Sequence, residues 1–224
     1  MRLLRIYAAA ATALLLVIAA AGFGRGSRTA VFDEITVGKI NVIDAEGRTR
    51  VLLAGGYPPR REDLAGLIFV NQEGVEAGGL VYTGTRDTTD GVQAGGILTF
   101  DQFDNDQILS LSYDQSGDQK RQGLTIQDRP DTLSDQVLAA YRAIDAAGSP
   151  EERDSLVEYH LSRIPQREFV SRRLFVGRSW NRASLVTLSD PDGNPRLRLE
   201  VDSLGAASIT FLDDAGDVVR TITP

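Results

Sequence analysis

Five times the chain repeats one short phrase: Asp44-Ala-Glu-Gly47, Asn71-Gln-Glu-Gly74, Asp114-Gln-Ser-Gly117, Asp190-Pro-Asp-Gly193 and Asp213-Asp-Ala-Gly216. An Asp or Asn that can accept from the backbone two residues on, followed by a glycine suited to a left-handed conformation, is the chemistry of a type I turn closing a bulged hairpin. The flanks agree. "INVI" and "RVLLA" border the first phrase, "LVTLS" and "RLRLEV" the fourth, "SITFL" and "VVRTIT" the fifth. Runs rich in β-branched and alternating residues on both sides of a short turn predict hairpins. The phrases therefore read as structural turns, and the fold as mainly β.

Further echoes support a hairpin-built domain. Val37-Gly38-Lys39 precedes the first phrase and Val176-Gly177-Arg178 the fourth, while Arg50 and Arg196 each follow a turn glycine by three residues. "AGGLVYTG" (77–84) and "AGGILTF" (94–100) both place paired glycines ahead of a strand, where bulges or close backbone approach occur. One stretch departs from this rule. Residues 131–164 carry Leu133, Val137, Leu138, Tyr141 and Ile144 at helical spacing, capped by Asp131 or Thr132. Gly148 can end that helix, and Ser149-Pro150-Glu151-Glu152 starts another. A helical hairpin inserted in a β domain follows.

The first 28 residues are different in kind. Two arginines precede an uncharged run from Ile6 to Gly24 that just reaches membrane-spanning length. Ala19-Ala20-Ala21 offers a cleavage site, so the segment reads as an uncleaved signal anchor or, alternatively, a cleaved signal peptide. Either reading puts residues 29–224, a single β-rich domain, outside the cytoplasm: on the cell membrane as a single-pass protein, or secreted or periplasmic after cleavage.

Composition closes several doors. The chain of 224 residues has no Cys and one His, His160, so thiol chemistry, disulfides, Cys-ligated zinc and multi-histidine metal sites are excluded. A net charge of −7 argues against nucleic acid as a partner. No nucleophile elbow, P-loop, dinucleotide fingerprint or metalloprotease helix occurs, and no cofactor is expected. Asp190, Asp192, Asn194 and Glu200 alternate somewhat like a calcium loop, but the glycine at 193 sits where a hairpin needs it, and no metal site is assigned.

The most unusual stretch is "LTFDQFDNDQILSLSYDQ" (98–115). If Asp101 and Asp106 flank a turn, their carboxylates can approach across strands; a paired-carboxylate glycosidase needs about 5 to 9.5 Å between them. Phe103 and Tyr113 supply nearby aromatics, and Asp128 with Arg129, in "GLTIQDRPD", could hold a polar ligand. Asp101, Asp106, Tyr113, Asp128 and Arg129 are thus the candidate ligand-binding residues. The competing reading makes the loop one more polar hairpin with solvated charges.

Gly78-Gly79-Leu80-Val81-Tyr82, Leu98-Thr99-Phe100-Asp101-Gln102 with Asp106-Gln107, and Gly123-Leu124-Thr125 with Asp128-Arg129-Pro130 resemble an uncharacterised group of bacterial proteins with an N-terminal apolar segment. The resemblance implies export or anchoring and a bacterial source, and no activity. The expected fold is an antiparallel hairpin-built domain: a sandwich, a partly open barrel or stacked hairpins. The expected role is a structural or protein-interaction one in the envelope. The alternatives are a carbohydrate-binding or glycosidase-like protein using the 101–114 loop, and a subunit of an oligomeric β assembly. The partners are then the membrane, through the N-terminal helix, and a second copy or another envelope protein.

Overall fold

The computed structural model describes residues 12–13, 29–56, 64–87 and 91–224. The anchor or signal segment expected over 1–28 lies almost wholly outside the described residues. Among those described, no helix is long and apolar enough to cross a membrane. The chain divides into two units, Met1–Val37 and Gly38–Pro224. Of the first, residues 29–37 are exposed and belong to no helix or strand.

The second unit is a single antiparallel sheet of twelve strands in sequence order. These are β1 (Lys39–Ile43), β2 (Thr49–Ala54), β3 (Ala65–Val70), β4 (Glu76–Asp87), β5 (Gly91–Asp101), β6 (Gln107–Ser116), β7 (Gln119–Asp128), β8 (Ser171–Arg178), β9 (Ser184–Ser189), β10 (Pro195–Val201), β11 (Ala207–Leu212) and β12 (Val218–Ile222). Every strand pairs with its sequence neighbours, so each connection is a hairpin except the helical insertion between β7 and β8.

The repeated phrase builds most of these connections in one way. At Asp44 the backbone N–H donates to the Arg48 carbonyl at 2.9 Å and the Gly47 N–H returns to Asp44 at 3.0 Å. The Asp44 carboxylate accepts from the N–H groups of Glu46 and Arg48. Asn71, Asp190 and Asp213 repeat both the backbone pair and the side-chain bonds. The glycine at the fourth position holds φ near +85° in each, the left-handed residue of a bulged hairpin.

One phrase departs. Asp114 lies inside β6, paired with Arg121, and the hairpin turns three residues later at Gly117-Asp118. A glycine with φ of 57° followed by Asp makes a two-residue turn tighter than the four-residue phrase, and it sets the register instead. Conversely, Asp202-Ser-Leu-Gly205 and Ser179-Trp-Asn-Arg182 form the same backbone turn. In the latter, Arg182 occupies the left-handed position at φ 70°.

Register makes the two faces of the sheet unlike. Following the paired residues from strand to strand, one face carries Ile40, Leu53, Leu67, Leu80, Leu98, Leu111, Leu124, Val176, Val186, Leu199, Ile209 and Ile222, one aliphatic residue per strand. A second row beside it runs through Val42, Val51, Phe69, Phe100, Leu109, Ile126, Leu174, Leu188, Leu197 and Phe211. Phe69 and Phe100 stack at 6.2 Å, on strands flanking the one that carries Gly78. The opposite face carries Asn41, Leu52, Ile68, Gly79, Thr99, Ser110, Thr125, Phe175, Thr187, Arg198, Thr210 and Thr221 in the corresponding row, mostly polar from β4 onward.

Burial runs against hydropathy here. None of the twelve residues in the aliphatic row is buried, and Leu80 and Leu111 are 51% and 54% exposed. Thr99, Thr125 and Phe175, on the polar face, are buried.

The helical insertion holds a small core of its own. α1 (Asp135–Asp145) and α2 (Pro150–Leu161) pack Val137 and Ala140 against Ile164, with Leu133, Leu161 and Phe169 around them. Ser134, not Asp131 or Thr132, caps α1 by accepting from the Val137 N–H, because the helix begins only at Asp135. Ser149 caps α2, with Pro150 in its first turn.

Candidate functional site

Three of the five candidate residues meet where the β5–β6 hairpin abuts the exit of β7. Arg129, 11% exposed at its side chain, donates to Asp106 at 2.9 Å and to the Gln107 carbonyl at 2.8 Å. Asn105 donates to the Pro130 carbonyl and Gln102 to the Asp131 carboxylate, so the acidic hairpin is stitched along the chain leading to α1. Asp101 points one carboxylate oxygen into the protein, buried and without a hydrogen-bond partner.

Glu76, at the start of β4, completes the cluster, and sequence reading missed it. Desolvation, then the charge of Asp106, pushes the Asp101 carboxyl above its ordinary value, against the pull of Arg129. Desolvation and the charges of Asp101 and Asp106 do the same for Glu76. Glu76 follows a turn glycine by two residues, and only the bulge between Ile68 and Val70 brings it level with the end of β5.

The remaining two candidates stand outside the carboxylate cluster, although Asp128 lines a hollow of about 450 Å³ together with Arg129. Asp128 forms an ion pair with Arg173 at 2.5 Å. Tyr113 donates its hydroxyl to Gln115 on its own strand, in register with Gly96 and Tyr82 on the apolar side. The turn carboxylates are occupied by their turns. At Asp190, hydrogen bonds from Asn194 and Arg196 outweigh desolvation and hold the carboxyl below its ordinary value. The N–H groups of Ala206 and Leu204 lower Asp202 in the same way.

Two further features lie outside the candidate set. On the apolar face, a hollow of about 750 Å³ opens over β8 to β12, floored by Val176, Val186, Leu199, Val201, Ile209 and Ile222. On the polar face, two hollows of about 450 and 420 Å³ share Arg121 and Arg172. The signal for the second was present in "RLRLE", whose alternation puts Arg198 on the face opposite Leu197 and Leu199. Compared with protein-family models, curated proteins and solved structures, the chain gives no match.

Proposed function

We propose that this chain is an envelope structural protein: an N-terminal segment anchors it, and the β domain assembles outside the cytoplasm by laying its apolar face against that of a second copy. The observation that carries this reading is the aliphatic row with one member on every strand, left uncovered. A sheet that is apolar on one face buries it against another layer. Here the other face is mixed, with Thr, Ser and Arg among Ile68, Ile97, Phe175 and Leu185, and the helical hairpin keeps its own core, so the second layer for the aliphatic row comes from another molecule.

The dimensions suit a stable contact. Twelve strands at about 4.8 Å and two rows at about 7 Å each give roughly 800 Å² per copy. That is the per-partner area of a standard protein interface. The near-uniform Leu, Ile and Val of the row makes it self-complementary, as a two-fold contact requires. Of the sandwich, partly open barrel and stacked hairpins expected from the sequence, the proposed contact is a sandwich formed between chains, two sheets about 10 Å apart. Side chains of one copy fill the 750 Å³ hollow of the other.

The absence of cysteine makes the test direct. Single-cysteine variants of the full chain, Leu80→Cys, Leu111→Cys and Val176→Cys, are treated in membranes with a short bis-maleimide, beside Ser110→Cys and Thr187→Cys on the polar face. Cross-linked dimers are expected from the row and not from the polar face. Equal yields, or none from the row, sink the reading. Leu204→Cys, at a residue 92% exposed, tests the compartment: a membrane-impermeant maleimide labels it in intact cells only if the domain lies outside the cytoplasm.

A further inference from the structure

The polar face gathers positive charge in a chain whose net charge is −7. Arg121, Arg167, Arg172 and Arg198 line the 450 Å³ hollow, with Asp192 as its one carboxylate. Two of the four are weakly engaged, Arg121 lying 4.0 Å from Asp114 and Arg198 3.9 Å from Glu200. Arg167 and Arg172 are exposed and make no ion pair among the described residues. Nearby, Arg129 is paired with Asp106, Arg173 with Asp128, and Arg196 with Asp190 and Asp214. The hollow itself gathers four guanidinium groups, none in a close ion pair among the described residues.

Its walls are held in place. The turn at Asp190 closes against β8 so tightly that a side-chain carbon at Gly193 would come within 3.3 Å of the Arg172 nitrogen. Phe175, buried beneath, carries the Arg121 guanidinium at 4.6 Å from its ring centre, which fixes the plane of that fork. Across Arg121 and Arg172 the hollow continues into the second one, lined by Ser110, Ser112, Thr125, Gln107 and Gln127, with Val81 and Ile97 in its wall and one carboxylate, Asp114, 4.0 Å from Arg121. The result is an elongated trough with forked cations along its middle and hydroxyl and amide groups along its length.

We propose that this trough binds an acidic oligosaccharide, its carboxylate groups held by Arg172, Arg121 and Arg167 and its hydroxyls by the serine, threonine and glutamine side chains. Guanidinium forks match carboxylate geometry two bonds at a time. Each hollow falls in the volume range of small-ligand sites, and the pair in line fits successive units of a chain better than one small anion. A duplex nucleic acid needs a broad basic surface, and this chain offers one narrow basic trough on an acidic body. The site lies on the face opposite the assembly surface, so it stands or falls independently of self-association.

The test is titration of the full chain in mild detergent with a galacturonate tetramer. A neutral maltotetraose, a sulfated oligosaccharide of equal charge and inorganic phosphate are run in parallel. The galacturonate tetramer is expected to bind, to weaken as salt rises, and to bind at least tenfold more tightly than the other three. Arg172→Gln and Arg167→Gln remove unpaired surface charges without touching a contact of the fold, and each should weaken binding at least tenfold. Arg172→Lys keeps the charge but loses the fork and should fall between. Arg153→Gln, on α2 away from the trough, should change nothing. The proposal is overturned if the galacturonate tetramer does not bind, if Arg172→Gln binds as wild type does, or if phosphate or the sulfated chain binds as tightly.

Discussion

The two faces of the sheet share one backbone and differ in what covers them. The face with an aliphatic residue on every strand is the more exposed, while the face of threonines, serines and arginines holds Thr99, Thr125 and Phe175 out of solvent. In a self-contained domain the apolar face would be the buried one. The inversion says that burial inside one chain follows the local curvature of the sheet, which hollows the polar face over β4 to β8. The apolar face keeps its hydrophobicity at the surface, which is the surface the proposed contact with a second copy would use. Substitutions that remove bulk from each face should therefore behave oppositely in the isolated molecule and in the assembly.

The largest effect is expected on the polar face. Phe175→Ala empties a site only 6% exposed and should cost about 3–5 kcal/mol of unfolding free energy. Leu111→Ala, at a residue 54% exposed, should cost well under about 1 kcal/mol at concentrations where the chain is monomeric. Urea unfolding of both variants at high dilution measures the difference. Equal costs would mean that the apolar row is already covered within the monomer.

Next in size is Leu111→Glu, which sets a charge at the centre of the row. It should leave the monomer's unfolding nearly unchanged and reduce the sedimenting mass of the assembly to that of one chain. A charge in a desolvated interface goes unpaired there, whereas in the monomer it stays in water. Persistence of the larger mass would move the interface off this face.

What was legible in the sequence is what is local. A turn such as Asp44–Gly47 is specified by a side chain that bonds two and four residues ahead and by a glycine that tolerates positive φ, all within five residues. Where a competing local signal was tighter, as at Gly117-Asp118, the same phrase at Asp114 became strand. The face-long row was not legible, because it depends on the register between each strand and the next across the whole sheet, which no single turn phrase specifies. A slip of one residue at any pairing would send the following strands' aliphatic residues to the other face. The candidate cluster was half legible. Asp101 and Asp106 are neighbours in the chain, but Arg129 and Glu76 join them only through strand pairing across β4 to β7.

That cluster yields a smaller, pH-dependent effect. Asp101 and Glu76 have raised carboxyl pKa values in the folded chain, so between the ordinary value near 4 and the raised one the native state holds more protons than the unfolded state. Stability therefore falls as pH rises through that window, and the cost persists at neutral pH. Asp101→Asn and Glu76→Gln should raise the melting temperature at pH 7 and lose that advantage below about pH 4. The turn at Asp202 has the opposite sign. Its lowered carboxyl contributes stability above the ordinary value, lost as pH falls below it. Melting curves of each variant from pH 3 to 8 separate the two; a flat difference for Asp101→Asn would contradict the raised value.

The smallest expected effect tests the turn template itself. Arg182 holds the left-handed position that glycine fills at Gly47, Gly74, Gly193, Gly205 and Gly216. A side chain in that conformation costs about 1–2 kcal/mol, offset in part by the extra freedom glycine has when unfolded. Arg182→Gly should thus stabilise the chain by about 0.5 kcal/mol, and Gly205→Ala, at φ +92° with open space around it, should destabilise it by about 1 kcal/mol. Gly205 lies at a hairpin tip outside the lining of the trough, so Gly205→Ala should not change oligosaccharide binding. If Arg182→Gly instead destabilises, the arginine side chain contributes a contact beyond the backbone turn. The Ser179–Arg182 hairpin would then no longer be one more copy of the repeated phrase.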